Sequence, residues 1–447
     1  MVVKLNFKNS KSGKPGNVDA SASSSASEPN GNDTEMPGNV IHIKAGVATA
    51  ETPTPDWRDL WELHKGRPVN NHSNAMIALR NDPSLNKAFA FDEMGLTTLV
   101  LQHPPGSPVV RAKFVSRPLR DVDVSSVQEY LQKLGLSHIG APSVHQAIDA
   151  RAHECAFHPV RDYLEGLVWD GTPRLPDWLP TYVGVKKDPY SVGIGRMFLL
   201  SMVARIYLPG CKCDYTVILE APQGSEKSTV CRVLGGRWFS DSLPETSGKD
   251  AAQHLAGKWL VELGEMAVMS KWEGTSLKAF LTRQEDKYRP PYGRTEIIQK
   301  RQCVFIGTTN QSVYLKDSTG GRRFWPVVAG KIDNVALAAD RDQLFAETVA
   351  VFKAGEKWHP NLEFEKNYIQ PQQEARFEED SWEDVVRKIL ESEDRIRVGQ
   401  ILCAIGFDQS KRSTRNERRV TDILHRLGWR RDTKKDADGN ISWVPNG

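Results

Sequence analysis

The feature of the sequence that most constrains its fold is a short loop between an apolar strand pattern and a helix pattern. Residues 215–220 (YTVILE) are apolar and β-branched, residues 221–229 (APQGSEKST) form the loop, and residues 230–234 (VCRVL) are helix-like. Loop amides followed by a helix N-terminus attract a phosphate, because both present partial positive charge. This order is typical of a P-loop, so the sequence predicts an α/β fold with a nucleotide-binding core.

Two loop residues carry the chemistry that such a site needs. In a P-loop the lysine contacts the outer phosphates and the following hydroxyl binds Mg²⁺, so we assign these roles to Lys227 and Ser228. The other predicted nucleotide-binding residues are Gln223, Gly224, Ser225 and Thr229. The strict pattern has glycine where this chain has Ala221 and Glu226. A left-handed conformation at Glu226 would cost about 1–2 kcal/mol, and its carboxylate would repel phosphate, so we expect weakened but not abolished binding.

Two later strand patterns end in polar side chains suited to nucleotide hydrolysis. Residues 258–265 (KWLVELGE) end in Glu262 and Glu265, which we predict to contact the metal and the attacking water, without assigning which does which. Residues 303–310 (CVFIGTTN) end in Asn310, which suits contact with water or the terminal phosphate. Solvent-exposed glutamates at a strand edge are the alternative interpretation.

A flexible segment near the end of this region carries two arginines. Residues 320–326 (GGRRFWP) place Arg322 and Arg323 after two glycines. A guanidinium in this setting can stabilise charge on a transferring phosphate as an arginine finger. We expect one of the two to act on the nucleotide of a neighbouring subunit, which implies a ring-shaped homo-oligomer, and a structural ion pair is the alternative for the other.

The C-terminal segment has the pattern of three helices and a basic hairpin. In the last helix, apolar residues recur with helical spacing, and the turn signal Asp438-Gly439 follows. Residues 411–435 hold ten basic and three acidic residues, a net charge of +7, which suits DNA phosphates. The apolar stripe consists of Val420, Ile423, Leu424 and Leu427. The candidate DNA contacts are Arg415, Arg419, Arg426, Lys434 and Lys435. A protein-docking surface and a merely solvent-exposed face are the alternatives.

In combination, these motifs resemble the virulence-associated protein E family of phage, plasmid and pathogenicity-island proteins, whose ATPase core is similar to superfamily 3 (AAA+-type) helicases. The matching segments are residues 157–164, 169–171, 222–224, 227–229, 238–243, 288–294, 307–310 and 320–326. The resemblance covers about residues 55–365. It implies ATP and Mg²⁺ as cofactors and a DNA-contacting hairpin, whose candidate contacts are Lys278, Lys287, Arg289 and Arg294. A solvent-exposed basic loop is the alternative for these four residues.

The chain is predicted to have four parts. Residues 1–54 contain a serine-rich stretch and no aromatic residue after position 7, so we expect a disordered tail. Residues 55–180 are predicted to form a mixed N-terminal domain and residues 181–365 a P-loop, AAA+-like ATPase domain. Residues 371–447 are predicted to form a winged-helix-like DNA-binding module.

The function that these expectations imply is a DNA-acting ATPase of a mobile genetic element, either helicase-like or associated with a primase during replication. The alternative is a non-motor replication initiator or regulator that binds DNA and uses nucleotide only for assembly, which the departure at Glu226 favours. A small-molecule P-loop kinase is disfavoured, because no segment resembles a lid and two basic surfaces suit nucleic acid.

Composition limits where the protein can be located and which partners it can bind. Lys and Arg total 59 against 56 Asp and Glu, a net charge of +3, so any DNA surface must be local. The most apolar window, residues 190–208, contains Arg196 and Arg205, which predicts a buried helix and no membrane contact. Six cysteines without a CxxC pair and no secretory signal favour a reduced, cytoplasmic location.

Overall fold

The computed structural model describes residues 56–106, 114–244, 249–264, 274–289, 296–315, 323–376, 380–408, 413–435 and 441–446. The tail that the sequence predicts to be disordered, residues 1–54, lies outside the described residues, as do Glu265, Arg294 and Arg322. The chain divides after Pro55, and all elements given below belong to the unit Asp56–Gly447.

The N-terminal region packs short antiparallel strands against helices. Its elements are β1 (Leu63–His64), β2 (Arg67–Pro68), α1 (His72–Asn81), β3 (Phe89–Asp92), β4 (Thr97–Val100), β5 (Arg117–Pro118), α2 (Asp121–Leu134), α3 (Ala141–Glu154) and α4 (Pro159–Glu165). Strand β4 pairs with β3 and β5. Apolar residues of α1, α2 and α3, such as Leu79, Leu131 and Ile148, are fully buried in one cluster.

A five-stranded parallel sheet forms the centre of the molecule. The central elements are α5 (Trp178–Val183), α6 (Pro189–Tyr207), β6 (Thr216–Glu220), α7 (Lys227–Gly235), β7 (Phe239–Ser240), α8 (Lys249–Leu255), β8 (Leu260–Leu263), α9 (Gly274–Leu281), β9 (Glu285–Tyr288), β10 (Ile297–Lys300), β11 (Val304–Thr309), β12 (Phe324–Val328) and α10 (Asn334–Lys353). The strand order is β12-β6-β11-β8-β7. The α/β class predicted from the sequence is confirmed.

Helices cover both faces of this sheet, and the alternation of side chains along β6 shows why. Val217 and Leu219 pack in the cluster that contains residues of α6, α7 and α10. Ile218, between them, packs in the cluster that contains residues of α8 and α9. Successive strand residues point to opposite faces, so a strand that is apolar throughout needs cover on both sides.

The buried helix expected from the apolar window is α6. Asp188 caps its N-terminus by accepting a hydrogen bond from the Ser191 amide at 2.7 Å. Most of its residues are buried, including Arg205, and the Trp259 indole donates to the Met202 carbonyl at 2.8 Å. No helix in the described part of the chain has both the length and the apolar character needed to cross a bilayer.

Strands β9 and β10 form an antiparallel hairpin outside the main sheet, in the segment where the resemblance implied one. Tyr288 pairs with Ile297 at the end nearest the turn. At the base, Arg301 donates to both carboxylate oxygens of Asp286 at 2.8 Å, and both side chains are buried. A buried, bidentate ion pair of this kind fixes the orientation of the hairpin.

The C-terminal region begins after a short helical connection. The elements that follow α10 are α11 (Leu362–Phe364), a π-helical turn (Glu365–Ile369), α12 (Gln370–Glu374), α13 (Glu383–Leu390), α14 (Val398–Ala404), α15 (Thr414–Arg426), β13 (Trp429–Lys435) and β14 (Ile441–Pro445). Strands β13 and β14 are antiparallel, and Ile396 pairs with Trp443 as a third, single-residue strand. Val420, Ile423 and Leu424 are buried, as the helical stripe predicted.

We predict that Gly330→Ala lowers the free energy of unfolding. A Cβ atom at Gly330 would lie 2.4 Å from the Gly184 carbonyl oxygen, a backbone atom that cannot rotate away. Overpacking of this kind costs about 1–3 kcal/mol. The measurement is chemical denaturation, with Gly264→Ala as control because no atom of the described residues lies within 4 Å of a Cβ there. Equal stability of the two variants would contradict the prediction.

Candidate functional site

The parallel pairing of three strands brings the predicted site segments to one edge of the sheet. Strand β11 lies between β6 and β8, with Thr309 opposite Glu220 and Gly307 opposite Leu263. The loop after β6 therefore lies beside the end of β11, one strand away from Glu262 of β8. Ligands of parallel α/β sheets bind beyond the carboxyl ends of the strands, which is this edge.

The loop between β6 and α7 has the left-handed residue considered in the sequence analysis. Glu226 adopts φ 62° and ψ 24° directly before α7, which begins at Lys227. Gly224 also has a positive φ, 82°, and no atom of the described residues lies within 4 Å of where its Cβ would be. The space beside Gly224 is open, as a loop that accepts a phosphate requires.

The Lys227 side chain turns back into its own loop. Lys227 is 8% exposed, so its ammonium depends on protein oxygens. Its Nζ donates hydrogen bonds to Ala221 O at 2.6 Å, Pro222 O at 2.9 Å, Ser225 Oγ at 3.2 Å and Asn310 Oδ1 at 3.1 Å. The ammonium thus joins the loop to Asn310 at the end of β11, and a phosphate would be able to replace these neutral acceptors with charged ones.

Glu262 lies beside the loop with half of its carboxylate unsatisfied. Its Oε1 accepts hydrogen bonds from Ser228 Oγ at 2.6 Å and from Thr308 Oγ1 at 2.7 Å. Its Oε2 is buried and has no hydrogen-bond partner in the described part of the chain. An uncompensated buried carboxylate oxygen is costly, and Mg²⁺ prefers oxygen ligands, so Ser228 and Glu262 fit a metal site. Thr308 is not among the site residues that the sequence predicts.

A second residue that the sequence analysis missed contacts Glu226. Asn334, the first residue of α10, donates from Nδ2 to Glu226 Oε2 at 2.9 Å. The two residues are 108 positions apart, and no sequence pattern relates them. The carboxylate is therefore held against α10, which fixes where the charge of Glu226 lies.

A buried ion pair secures the end of β6. Glu220, its last residue, accepts hydrogen bonds from Arg376 Nε at 2.9 Å and Nη2 at 3.0 Å and from the Tyr314 hydroxyl at 2.7 Å. Burial, reinforced by the Glu220 charge, raises the pKa of Tyr314, which therefore remains a donor. Arg376 O accepts from the amides of Tyr314 and Leu315, so the segments before the loop and after Asn310 are joined.

The remaining predicted loop and arginine residues lie as follows. Gln223 and Thr229 are exposed, and Ser225 donates to Pro222 O at 2.7 Å. Arg323 precedes β12, whose Phe324 pairs with Thr216 at the start of β6. About five residues of strand, roughly 16 Å, separate Arg323 from the loop of its own chain. Action on a neighbouring subunit's nucleotide is compatible with this position and stays a prediction.

The predicted DNA contacts of the hairpin are exposed where they are described. Lys287 on β9 forms an exposed ion pair with Glu296 at 2.9 Å. Arg289, just beyond β9, is exposed. The side chain of Lys278 and the whole of Arg294 lie outside the described residues.

Two of the predicted C-terminal DNA contacts are engaged within their own module. Arg419 donates to both oxygens of Asp380 at 2.7 Å, and its guanidinium carbon lies 3.9 Å from the centre of the Trp382 ring. Burial opposes the effect, but the hydrogen bond from Arg419 holds the pKa of Asp380 below its usual value. Arg426 forms an ion pair with Glu383 at 3.3 Å. These contacts attach α15 to the segment at the start of α13.

Other predicted contacts of the same module are free to meet a ligand. Arg415 and Lys434 are exposed, whereas the side chain of Lys435 lies outside the described residues. The exposed charge of the module is therefore carried by a subset of the residues that the sequence singled out.

Comparison with known proteins gives one family and a set of similar folds. The family model described as virulence-associated protein E-like domain matches residues 164–378. No curated protein matches the chain. Two solved apo structures of the NrS-1 C-terminal region are each 14% identical and cover 80% of this chain and 96% of that one, with TM-scores of 0.42 and 0.41. Residues 164–378 therefore match a virulence-associated protein E-like domain, which confirms the resemblance to that family drawn from the motifs.

Proposed function

We propose that this protein binds ATP with Mg²⁺ at the loop before α7 and hydrolyses it while acting on DNA in the replication of a mobile genetic element. The family match supports the replication context. The observation that carries the nucleotide proposal is the meeting of Lys227, Ser228, Glu262 and Asn310 at one edge of the sheet, with one buried oxygen of Glu262 lacking a partner among the described residues.

The phosphates of ATP would meet the loop and the N-terminus of α7. Amides of the loop and of the first helical turn offer donors, and the helix dipole adds partial positive charge. Lys227 would exchange its bonds to Ala221 O and Pro222 O for phosphate oxygens, since charged acceptors form the stronger hydrogen bonds. Asn310, already within 3.1 Å of the lysine, would orient the terminal phosphate or the attacking water.

Ser228 and Glu262 would hold Mg²⁺. Bound there, the ion would neutralise charge on the outer phosphates. Ser228 now donates to Glu262 Oε1 at 2.6 Å, so the two ligands are already adjacent. Thr308 donates to the same oxygen and keeps the carboxylate oriented. Glu265 and one of Arg322 and Arg323 are proposed for water activation and for a trans-acting finger in a ring of subunits.

DNA would contact the β9–β10 hairpin and the C-terminal module. The hairpin exposes Lys287 and Arg289, and the module combines three helices with an antiparallel hairpin, the outline of a winged helix. Exposed cations contribute to DNA affinity through counterion release, independently of base sequence. A primase or other replication protein would be a further partner of such an ATPase.

The second candidate is a DNA-binding initiator or regulator that binds nucleotide for assembly without turning it over. The observation that favours it is Glu226, a carboxylate within the phosphate loop, in a left-handed conformation and held by Asn334. A negative charge near the triphosphate weakens binding, and the weakening depends on how far the side chain is screened.

We predict that Lys227→Ala weakens ATP binding by about 100-fold while the protein stays folded, because the loop loses its only charged donor to phosphate. Calorimetric titration with ATP and Mg²⁺ measures the change. Lys357→Ala, which removes an exposed lysine after α10, is the control. Equal affinity of parent and Lys227→Ala would remove the basis for the P-loop assignment.

We predict that Glu226→Gln and Glu226→Gly raise ATP affinity by a similar factor, up to about tenfold, because both remove the same negative charge. The left-handed strain at Glu226 already exists without nucleotide, so relieving it changes the free energy of unfolding and not the affinity. Asn334→Ala is the control for the hydrogen bond to Glu226. A gain in ATP affinity for Glu226→Gly alone would show that the carboxylate charge does not weaken binding. A loss of ATP affinity in both variants would show that Glu226 contributes to binding.

We predict that Arg415→Ala with Lys434→Ala weakens DNA binding and flattens the slope of log K against log salt by about 0.7–0.9 per lost phosphate contact. Arg419→Ala is the matched control, because its guanidinium already contacts Asp380 and Trp382. We expect the control to keep the slope and to lose about 1 kcal/mol of stability. An unchanged slope in the double variant would mean that this module docks protein.

A further inference from the structure

A pair of thiols lies in the loop between α6 and β6, before the first residue of β6. Cys211 and Cys213 are separated by Lys212, and their Sγ atoms are 3.7 Å apart. Cys213 is buried, whereas Cys211 is partly exposed. The two sulfur atoms are in contact range, and one of them is accessible to small reagents.

Arg205, in the last turn of α6, is a buried cation whose charge acts on both thiols. Arg205 is 1% exposed, and its Nη1 donates to the Arg301 carbonyl at 3.2 Å. Among the described residues, its Nε has no hydrogen-bond partner and no carboxylate forms an ion pair with it. A buried guanidinium without a counter-ion is costly, so an anion nearby is favoured. A thiolate is an anion that this loop can supply.

The two thiols differ in acidity, in the order that disulfide exchange requires. The hydrogen bond from Cys213 lowers the pKa of Cys211 against the effect of burial, and the Arg205 charge lowers it further. Burial raises the pKa of Cys213 well above its usual value, although Arg205 acts in the opposite direction there as well. Cys211, the more accessible thiol, is thus the better nucleophile. The protonated thiol of Cys213 next to it is placed to resolve a mixed disulfide.

We propose that Cys211 and Cys213 form a reactive dithiol that small disulfides of the glutathione class convert reversibly into an intramolecular disulfide. The Cys211 thiolate attacks one sulfur of the small disulfide and expels one thiolate, which leaves a mixed disulfide. Cys213 then loses its proton to solvent and attacks the Cys211 sulfur, and the second small thiol leaves. Two protein thiols are oxidised, and one small disulfide is reduced to two thiols.

This reaction does not depend on nucleotide or DNA binding. The loop leads into β6 at its amino end, whereas the candidate nucleotide site follows its carboxyl end. The proposal therefore goes beyond the proposed ATPase function, and either one can fail without the other.

The experiment exposes the full chain to oxidised glutathione at pH 7, blocks remaining thiols by alkylation and digests with trypsin without reductant. Trypsin cleaves after Lys212, so the disulfide links peptide 206–212 to peptide 213–227, which mass spectrometry identifies. We expect the linked pair to form about tenfold faster than glutathione adds to Cys403, an exposed thiol on α14, and to disappear with dithiothreitol.

Two variants make the result decisive. Cys213→Ser should stop the reaction at a glutathione adduct on Cys211, whereas Cys403→Ser should leave formation of the linked pair unchanged. Glutathione adducts on Cys211 or Cys213 of the parent without the linked pair would overturn the proposal. So would a parent in which both thiols stay reduced while Cys403 is modified.

Discussion

The parallel pairing of β6, β11 and β8 is the constraint on which the candidate site depends. Both faces of the sheet are covered by helices, so polar side chains of these strands reach a ligand only beyond the strand ends. Because of the pairing register, the loop after β6 lies next to Asn310 at the end of β11. Glu262 lies on β8, the next strand of the sheet. Lys227 and Ser228, at the start of α7, connect the two by hydrogen bonds of 3.1 and 2.6 Å.

Two locally unfavourable features of the described core occur at this same place. Glu262 keeps a buried oxygen without a partner, and Glu226 adopts a left-handed conformation that a side chain disfavours. Features of this kind persist when the surrounding structure holds them, and they are found mostly at functional sites. Here the buried pair of Glu220 with Arg376 supplies part of that support, because it anchors the strand that carries the loop.

Local sequence patterns predicted the strands, loop and helix of the site, but they did not predict its long-range contacts. The strand, loop and helix around Lys227 and the strand that ends at Asn310 were readable, because apolar runs and loop chemistry are encoded in neighbouring residues. Thr308 and Asn334 were missed, since their contacts with Glu262 and Glu226 arise only from the packed fold. Helical spacing placed Arg419 on a polar face, but it carried no information about Asp380, its partner 39 residues earlier.

Steady-state phosphate release by the full chain, with and without single-stranded DNA, measures whether the protein is a DNA-stimulated ATPase. We expect release of phosphate from ATP that requires Mg²⁺ and rises when DNA is added. ATP binding without turnover at any DNA concentration would contradict the hydrolysis claim and favour the initiator. Absence of both binding and turnover in the presence of Mg²⁺ would contradict the nucleotide site itself.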